Sequence, residues 1–188
     1  MNVIKTEIPD ILLIEPDVYP DQRGYFFETW NEDRYKKAGI NCNWMQDNES
    51  KSFYGVIRGL HYQKPPYTQA KLIRVITGTI LDTILDIRKG SLTFGKYISV
   101  ELSGDNKRQL FIPRGFAHGF SVLSDVAVIQ YKCDNLYMPS HECGIRFDDP
   151  KIGIDWKIPS EKIIVSPKDL KQPLLANAEL IDFNSDKQ

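Results

Sequence analysis

A chain of 188 residues fits one domain with room for a sizeable core, and its 41% hydrophobic and 26% charged residues are ordinary for a globular protein. A formal net charge of −1 gives no sign of a broad nucleic-acid or anionic-membrane surface, so an anionic ligand would have to be held by a few placed cations. Cys42, Cys133 and Cys143 show no CxxC spacing, MNVIKTEIPD has no apolar h-region and no apolar run reaches membrane length, so the expected compartment is a reducing cytoplasm.

The first predicted element is a helix in NEDRYKKAG. Asn31 is a good N-cap, Glu32 and Asp33 suit the positive end, Lys36 and Lys37 suit the negative end, and Gly39 can terminate it. RGLHYQ at 58–63 has strand-like neighbours and carries His61. KLIRVITGTILDTILDIRKGS holds two strand-length runs around Gly78-Thr79, consistent with a tight turn. FGKYISVELSGDNKRQLFIP repeats the arrangement around Gly104-Asp105-Asn106, with Ile98, Val100 and Leu102 alternating against Tyr97, Ser99 and Glu101. DVAVIQYKC gives a further strand with Ala127, Ile129 and Tyr131 on one face. Beyond about residue 139, Pro, Asp and Lys become frequent and periodicity fades, which reads as a packed tail with short helical turns. Short strands at near-regular spacing predict an all-β sandwich or barrel of jelly-roll type, a single domain over 1–188.

His61 has three readings: metal ligand, packed core histidine, or proton carrier. Cupin-type barrels usually supply their first metal ligands as HxH followed by a carboxylate, and the matching stretch here is HYQ. His118 and His141 lie far along the chain without supporting spacing, so no metal site is expected. Strand parity puts Gly59, His61 and Gln63 on one face and Lys71, Ile73 and Val75 on one face of the next strand. If both faces line the interior with Tyr131, a base, a cation and a weak acid share one cavity, which is a proton-transfer kit. A structural network of buried polar groups is the alternative. Arg23 and Glu28 in DQRGYFFETW, and Gln46 and Asn48 in MQDNES, read singly as solvated loop residues. Arg23 and Arg58 are nevertheless well shaped for phosphate oxygens, and no P-loop or Rossmann glycine pattern competes for that role.

DQRGYFFETW, QDNESKSFYGVIRGLHYQ, TQAKLIRVITGTILDTILDIRKGSLTFG, RQLFIPRGFAHGF, YKCDNLYMP and GIRFDDPKIGIDW, in this order, resemble the dTDP-4-dehydrorhamnose 3,5-epimerase family from about residue 3 to 176. The resemblance implies a cupin-like jelly roll, usually a homodimer, working without metal or cofactor on a dTDP-linked 4-keto-6-deoxyglucose on the route to L-rhamnose. It places the catalytic base on His61, the proton-donating tyrosine on Tyr131 and the histidine-orienting aspartate on Asp169. Lys71 and His118 match residues near the sugar ketone. Arg23, Glu28, Gln46, Asp47, Asn48, Arg58, Glu142 and Lys168 match positions that hold the nucleotide diphosphate and sugar, and Tyr137 matches an aromatic that stacks on thymine. In this family the N-terminal segment can reach the neighbouring subunit, which puts Arg23 and Glu28 in trans.

The implied chemistry suits these residue types. Inverting carbon 3 or carbon 5 requires removing a proton α to the carbon-4 ketone and returning one to the other face. Histidine changes charge near neutral pH, an aspartate partner fixes its tautomer, and a lysine can stabilise the enolate oxygen. Two alternatives remain at this point: a relative that inverts only one of the two carbons, and a catalytically silent sugar-nucleotide-binding jelly roll.

Overall fold

In the computed structural model the described residues are 1–182. The chain begins with β1 (Asn2–Lys5) and β2 (Leu12–Glu15), a small exposed pair β3 (Tyr19–Asp21) and β4 (Gly24–Phe26), and helix α1 (Glu32–Lys37). The body follows as β5 (Gln46–Phe53), β6 (Val56–Gln63), β7 (Lys71–Thr77), β8 (Thr79–Asp86), β9 (Arg88–Lys89), β10 (Tyr97–Ser103), β11 (Gln109–Ile112), β12 (Phe116–Val122) and β13 (Val126–Cys133). The tail carries β14 (Glu142–Gly144), β15 (Ile164–Val165), β16 (Ile181–Asp182) and four single 3₁₀ turns.

Helix α1 starts where its sequence predicts. The Asn31 side chain accepts from the Arg34 N–H at 3.1 Å, and the chain leaves through Gly39 at φ +90°. Its one buried residue, Tyr35, packs with Ile14, Ile40, Leu72 and Phe111 and donates its hydroxyl to Gln109 Oε1 at 2.8 Å. The helix is thereby fastened to the outer face of one sheet.

Two sheets form a sandwich, with strand orders β1-β2-β11-β7-β13-β5 and β10-β8-β12-β6-β14, and β15 added parallel to β6. Their facing sides bury Ile73, Val75, Ala127 and Ile129 from the first sheet against Ile80, Ile84, Leu102 and Phe120 from the second. Each of these side chains other than Ala127 contributes roughly 1.5–3 kcal/mol by leaving water, so the pairing of faces is set by this core. The tight turns expected at Gly78 and at 104–106 are present, and each joins the two sheets: β7 and β11 belong to one sheet, β8 and β10 to the other. Each turn is a corner at which the chain crosses the sandwich. Gly78 has φ +81°, and a Cβ there would stand 2.0 Å from the Val126 carbonyl oxygen, so the corner admits only glycine.

Strand β6 departs from simple alternation. His61 lies opposite His118 and Arg58 opposite Phe120, so three steps on β6 match two on β12. Directly paired residues point to the same side, which brings both Arg58 and His61 to the inner face although their numbers differ in parity. The extra residue is absorbed at Gly59, with φ +129°, where a Cβ would stand 2.5 Å from Gly119 Cα. Past residue 144 the tail covers the outer face of the second sheet, where Ile145, Phe147 and Trp156 pack on Ile57, Leu60, Leu85 and Ala117. It then returns a 3₁₀ turn, Asp169–Lys171, against β6. No helix among the described residues is long and apolar enough to cross a membrane.

Candidate active site

Between the two sheets lies a cavity of about 340 Å³. One wall is Gln46 and Asn48 from β5, Lys71 from β7, and Tyr131 and Cys133 from β13; the other is His61 and Gln63 from β6, His118 from β12 and Glu142 from β14. Inward alternation along each strand makes this selection, with the β6 bulge resetting the parity that delivers His61.

His61 Nε2 lies 2.6 Å from Asp169 Oδ1, across 108 residues of sequence. A carboxylate offers only acceptors, so the hydrogen sits on Nε2 and the Nδ1 lone pair is free to act as a base. Burial works to raise Asp169, but the bonds from His61, Ser166 and the Gly59 N–H outweigh it and hold the carboxyl below the ordinary aspartate value. Asp169 Oδ1 and its surroundings are thus built for a negative charge.

On the opposite wall the Lys71 ammonium lies 5.9 Å from the centre of the Tyr131 ring. Burial pushes Lys71 below the ordinary lysine value, against the pull of Cys133, Asp82 and Glu142. Burial pushes the Tyr131 phenol upward, so it stays protonated and is available as a proton donor. At the rim, Tyr137 donates its hydroxyl to Glu142, which also pairs with Lys168 at 2.5 Å. Burial tends to raise Glu142, and those two partners outweigh it, leaving the group below its usual value. The Tyr137 backbone N–H is held by Gln46 Oε1 at 2.9 Å, and the next N–H, of Met138, by Gln63 Oε1 at 2.6 Å.

The structure therefore brings His61, Asp169, Lys71, Tyr131, Gln46, Asn48, His118, Tyr137, Glu142 and Lys168 to one cavity and its rim. Arg58 donates from the inner face of β6 to Ser52 Oγ on β5 at 3.0 Å and is not among the residues that line the cavity. Asp47 is not in this group. It points to the opposite face of β5 from Gln46 and Asn48 and pairs with Lys132 at 3.0 Å, because successive strand residues face opposite ways. Arg23 and Glu28 also lie outside their own chain's cavity: the Arg23 side chain is 90% exposed beside Asp21, and Glu28 bonds Arg34 and Asn31. Gln63 lines the cavity on the His61 face where strand parity put it; Gln69 and Cys133 line it without having been given a site role from sequence, and Asp82 behind His118 was not singled out either. For Asp82 a signal existed, a carboxylate in the middle of the strand-like run TILDTILD. Among the described residues, no three His, Cys, Asp or Glu side chains are grouped to hold a metal ion.

A jelly-roll barrel that sets a carboxylate-backed base on one sheet and a protonated phenol beside an ammonium on the other defines a cupin-like isomerase of the proton-transfer kind. Comparison with known proteins narrows this. Residues 5–177 match the model of the family described as dTDP-4-dehydrorhamnose 3,5-epimerase. An enzyme of that description from Shigella flexneri is 50% identical over 180 residues, 95% of this chain and 98% of its own. Another from Escherichia coli (strain K12) is 50% identical over 170 residues, covering 90% and 91%. Among solved structures, a dTDP-6-deoxy-D-glucose-3,5-epimerase from Legionella pneumophila Philadelphia 1, in complex with dTDP-4-keto-L-rhamnose, superimposes with a TM-score of 0.94 at 45% identity, covering 98% of this chain and 99% of that one. The chain belongs to the dTDP-4-dehydrorhamnose 3,5-epimerase family.

Proposed function

We propose that the protein converts dTDP-4-dehydro-6-deoxy-D-glucose to dTDP-4-dehydro-L-rhamnose, as an isomerase of dTDP-L-rhamnose biosynthesis. The observation that carries the mechanism is the placement of His61 and Tyr131 on opposing sheets across one cavity. His61 Nδ1 takes the proton from carbon 5 or carbon 3, and the electron pair moves through the α carbon to the carbon-4 carbonyl oxygen. Lys71 stabilises the resulting enolate, where one preorganised donor is worth about 3–4 kcal/mol. Tyr131 returns a proton to the opposite face. The phenolate and the imidazolium, kept in place by Asp169, then reset by exchange with water. Tyr137 stacks on the thymine, while Arg58, Lys168, Glu142, Gln46 and Asn48 hold the diphosphate and sugar. Incubation with the 4-keto sugar nucleotide in heavy water, followed by NMR, tests this: deuterium at both carbons is expected. Exchange at one carbon would point to a single-centre relative, and exchange at neither to a binding protein.

We further propose a homodimer in which Arg23 and Glu28 serve the neighbour's cavity. Both stand away from their own cavity, on or beside the β3–β4 hairpin, whose Tyr19, Tyr25 and Phe26 are 57%, 57% and 67% exposed. Mixing inactive Arg23→Ala chains with inactive His61→Ala chains is expected to restore turnover, since one intact site can assemble. No recovery in a mixture shown to form heterodimers would count against service in trans.

A further inference from the structure

Strand β8 carries two aspartates in a run otherwise made of isoleucine, leucine and threonine. Asp86 is accounted for by Arg88, Ser91 and Thr93, each within 2.6–2.8 Å of its Oδ2. Asp82 has no such surroundings. It is 0% exposed, shares the inner face of β8 with Ile80 and Ile84, lies 2.6 Å from His118 Nε2 through Oδ1, and its Oδ2 has no hydrogen-bond partner. A buried carboxylate with one bare oxygen is expensive to keep, and an apolar residue would pack in its place. Its position is what distinguishes it: directly behind His118, in the interior that also holds Lys71.

The contact dictates the chemistry of the imidazole. The carboxylate can only accept, so His118 Nε2 carries the hydrogen, and in the neutral ring Nδ1 presents a lone pair. Burial pushes His118 below the ordinary histidine value, against the charge and bond of Asp82, with Lys71 and His61 reinforcing the decrease. A neutral ring in this tautomer accepts a hydrogen bond from a ligand and cannot donate one. Lys71 is faced by Asp82 from β8, Cys133 and Tyr131 from β13, His118 from β12, His61 from β6 and Glu142 from β14. Glu142 is already matched by Lys168 at 2.5 Å, whereas Asp82 has no cation of its own at bonding distance among the described residues.

We propose that Asp82 is a positioning residue for the epimerisation: it fixes His118 as a hydrogen-bond acceptor toward the sugar hydroxyl beside the ketone, and it is a buried negative charge in the interior shared with Lys71, the donor to the enolate oxygen. This rests on the functional reading given above. Two carboxylates thus set two histidines in the same cavity, Asp169 freeing His61 Nδ1 for proton abstraction and Asp82 turning His118 Nδ1 toward the substrate. Burial favours neutral Lys71, and the Asp82 charge opposes that. Removing the charge lowers the pH at which Lys71 deprotonates, and with it the alkaline limb of activity.

Asp82→Asn keeps the shape and removes the charge. In this variant, the alkaline limb of kcat/KM is expected to move down by about 1 pH unit or more, the effect typical of losing a near opposite charge, with kcat reduced and dTDP affinity retained. A purely structural role would lower the melting temperature and leave the limb where it is in the folded fraction; that result, or an unchanged kcat and limb, overturns the proposal. Nitrogen-15 NMR of histidine-labelled wild-type protein gives a second measurement that needs no variant. His118 is expected with hydrogen on Nε2 and a bare Nδ1 at pH 7, and a protonated Nδ1 overturns the proposal even if the variant fails to fold. An inert wild type on the 4-keto sugar nucleotide would instead sink the functional reading itself, which separates the two failures.

Discussion

Tyr131→Phe separates abstraction from inversion. Among the described residues the Tyr131 hydroxyl makes no hydrogen bond with the protein, and its ring packs against the main core, so the ring can stay while the oxygen leaves. Loss of an unpaired hydroxyl should cost less than about 1 kcal/mol of stability. The catalytic cost is set by a different term. A general acid contributes ~10²–10⁴-fold, which at 1.36 kcal/mol per decade is about 2.7–5.4 kcal/mol in the barrier to inversion. His61 and Asp169 stay intact on the opposite sheet, so the variant should still remove a proton and restore one to the same face. In heavy water, NMR should show deuterium entering unchanged substrate while inverted product accumulates 10²–10⁴-fold more slowly than with wild type, most clearly at carbon 5. His61→Ala should show no exchange at either carbon. Inversion of both centres by Tyr131→Phe at near wild-type speed would refute the assignment and return Tyr131 to packing.

Arg58→Ala should weaken dTDP binding by about 2–3 kcal/mol, roughly 30–150-fold in Kd by calorimetry, with little effect on folding because the side chain is exposed. The depressed Asp169 value makes a signed claim about acid stability: its contribution is present above the ordinary aspartate range and lost as pH falls through the lower folded value. The stability gap between wild type and Asp169→Asn, from denaturant melts, should therefore be constant above about pH 5 and shrink below about pH 4; a gap independent of pH would show that the pair is not ionic. Gly78→Ala combines a φ of +81° with a Cβ 2.0 Å from the Val126 carbonyl oxygen, and should cost at least about 2 kcal/mol in urea unfolding.

Local features were legible because they are written in short windows. The N-cap at Asn31, the alternation of Ile98, Val100 and Leu102, and the aligned face of Ala127, Ile129 and Tyr131 each follow from backbone geometry over a few residues. The motifs of the family, in order, carried its chemistry with them, down to the pairing of His61 with Asp169. Simple parity misled in one place: it ran straight through Gly59, where the bulge brings Arg58 to the same inner face as His61. At Asp47 parity was the better guide, since adjacent strand residues must part company, whereas the resemblance grouped Asp47 with Gln46 and Asn48.

The sequence by itself determined which stretches pleat, where the chain can turn, and which side chains are chemically able to move a proton. Tertiary structure alone decided that the turns at Gly78 and at 104–106 are corners between sheets, that His61 and Tyr131 face each other from different sheets, and that Asp82 stands behind His118. The physical reason is range. A pleat is fixed by φ and ψ over neighbouring residues, whereas strand partners and register are chosen by burying two apolar faces against one another, a condition met only by residues far apart in sequence.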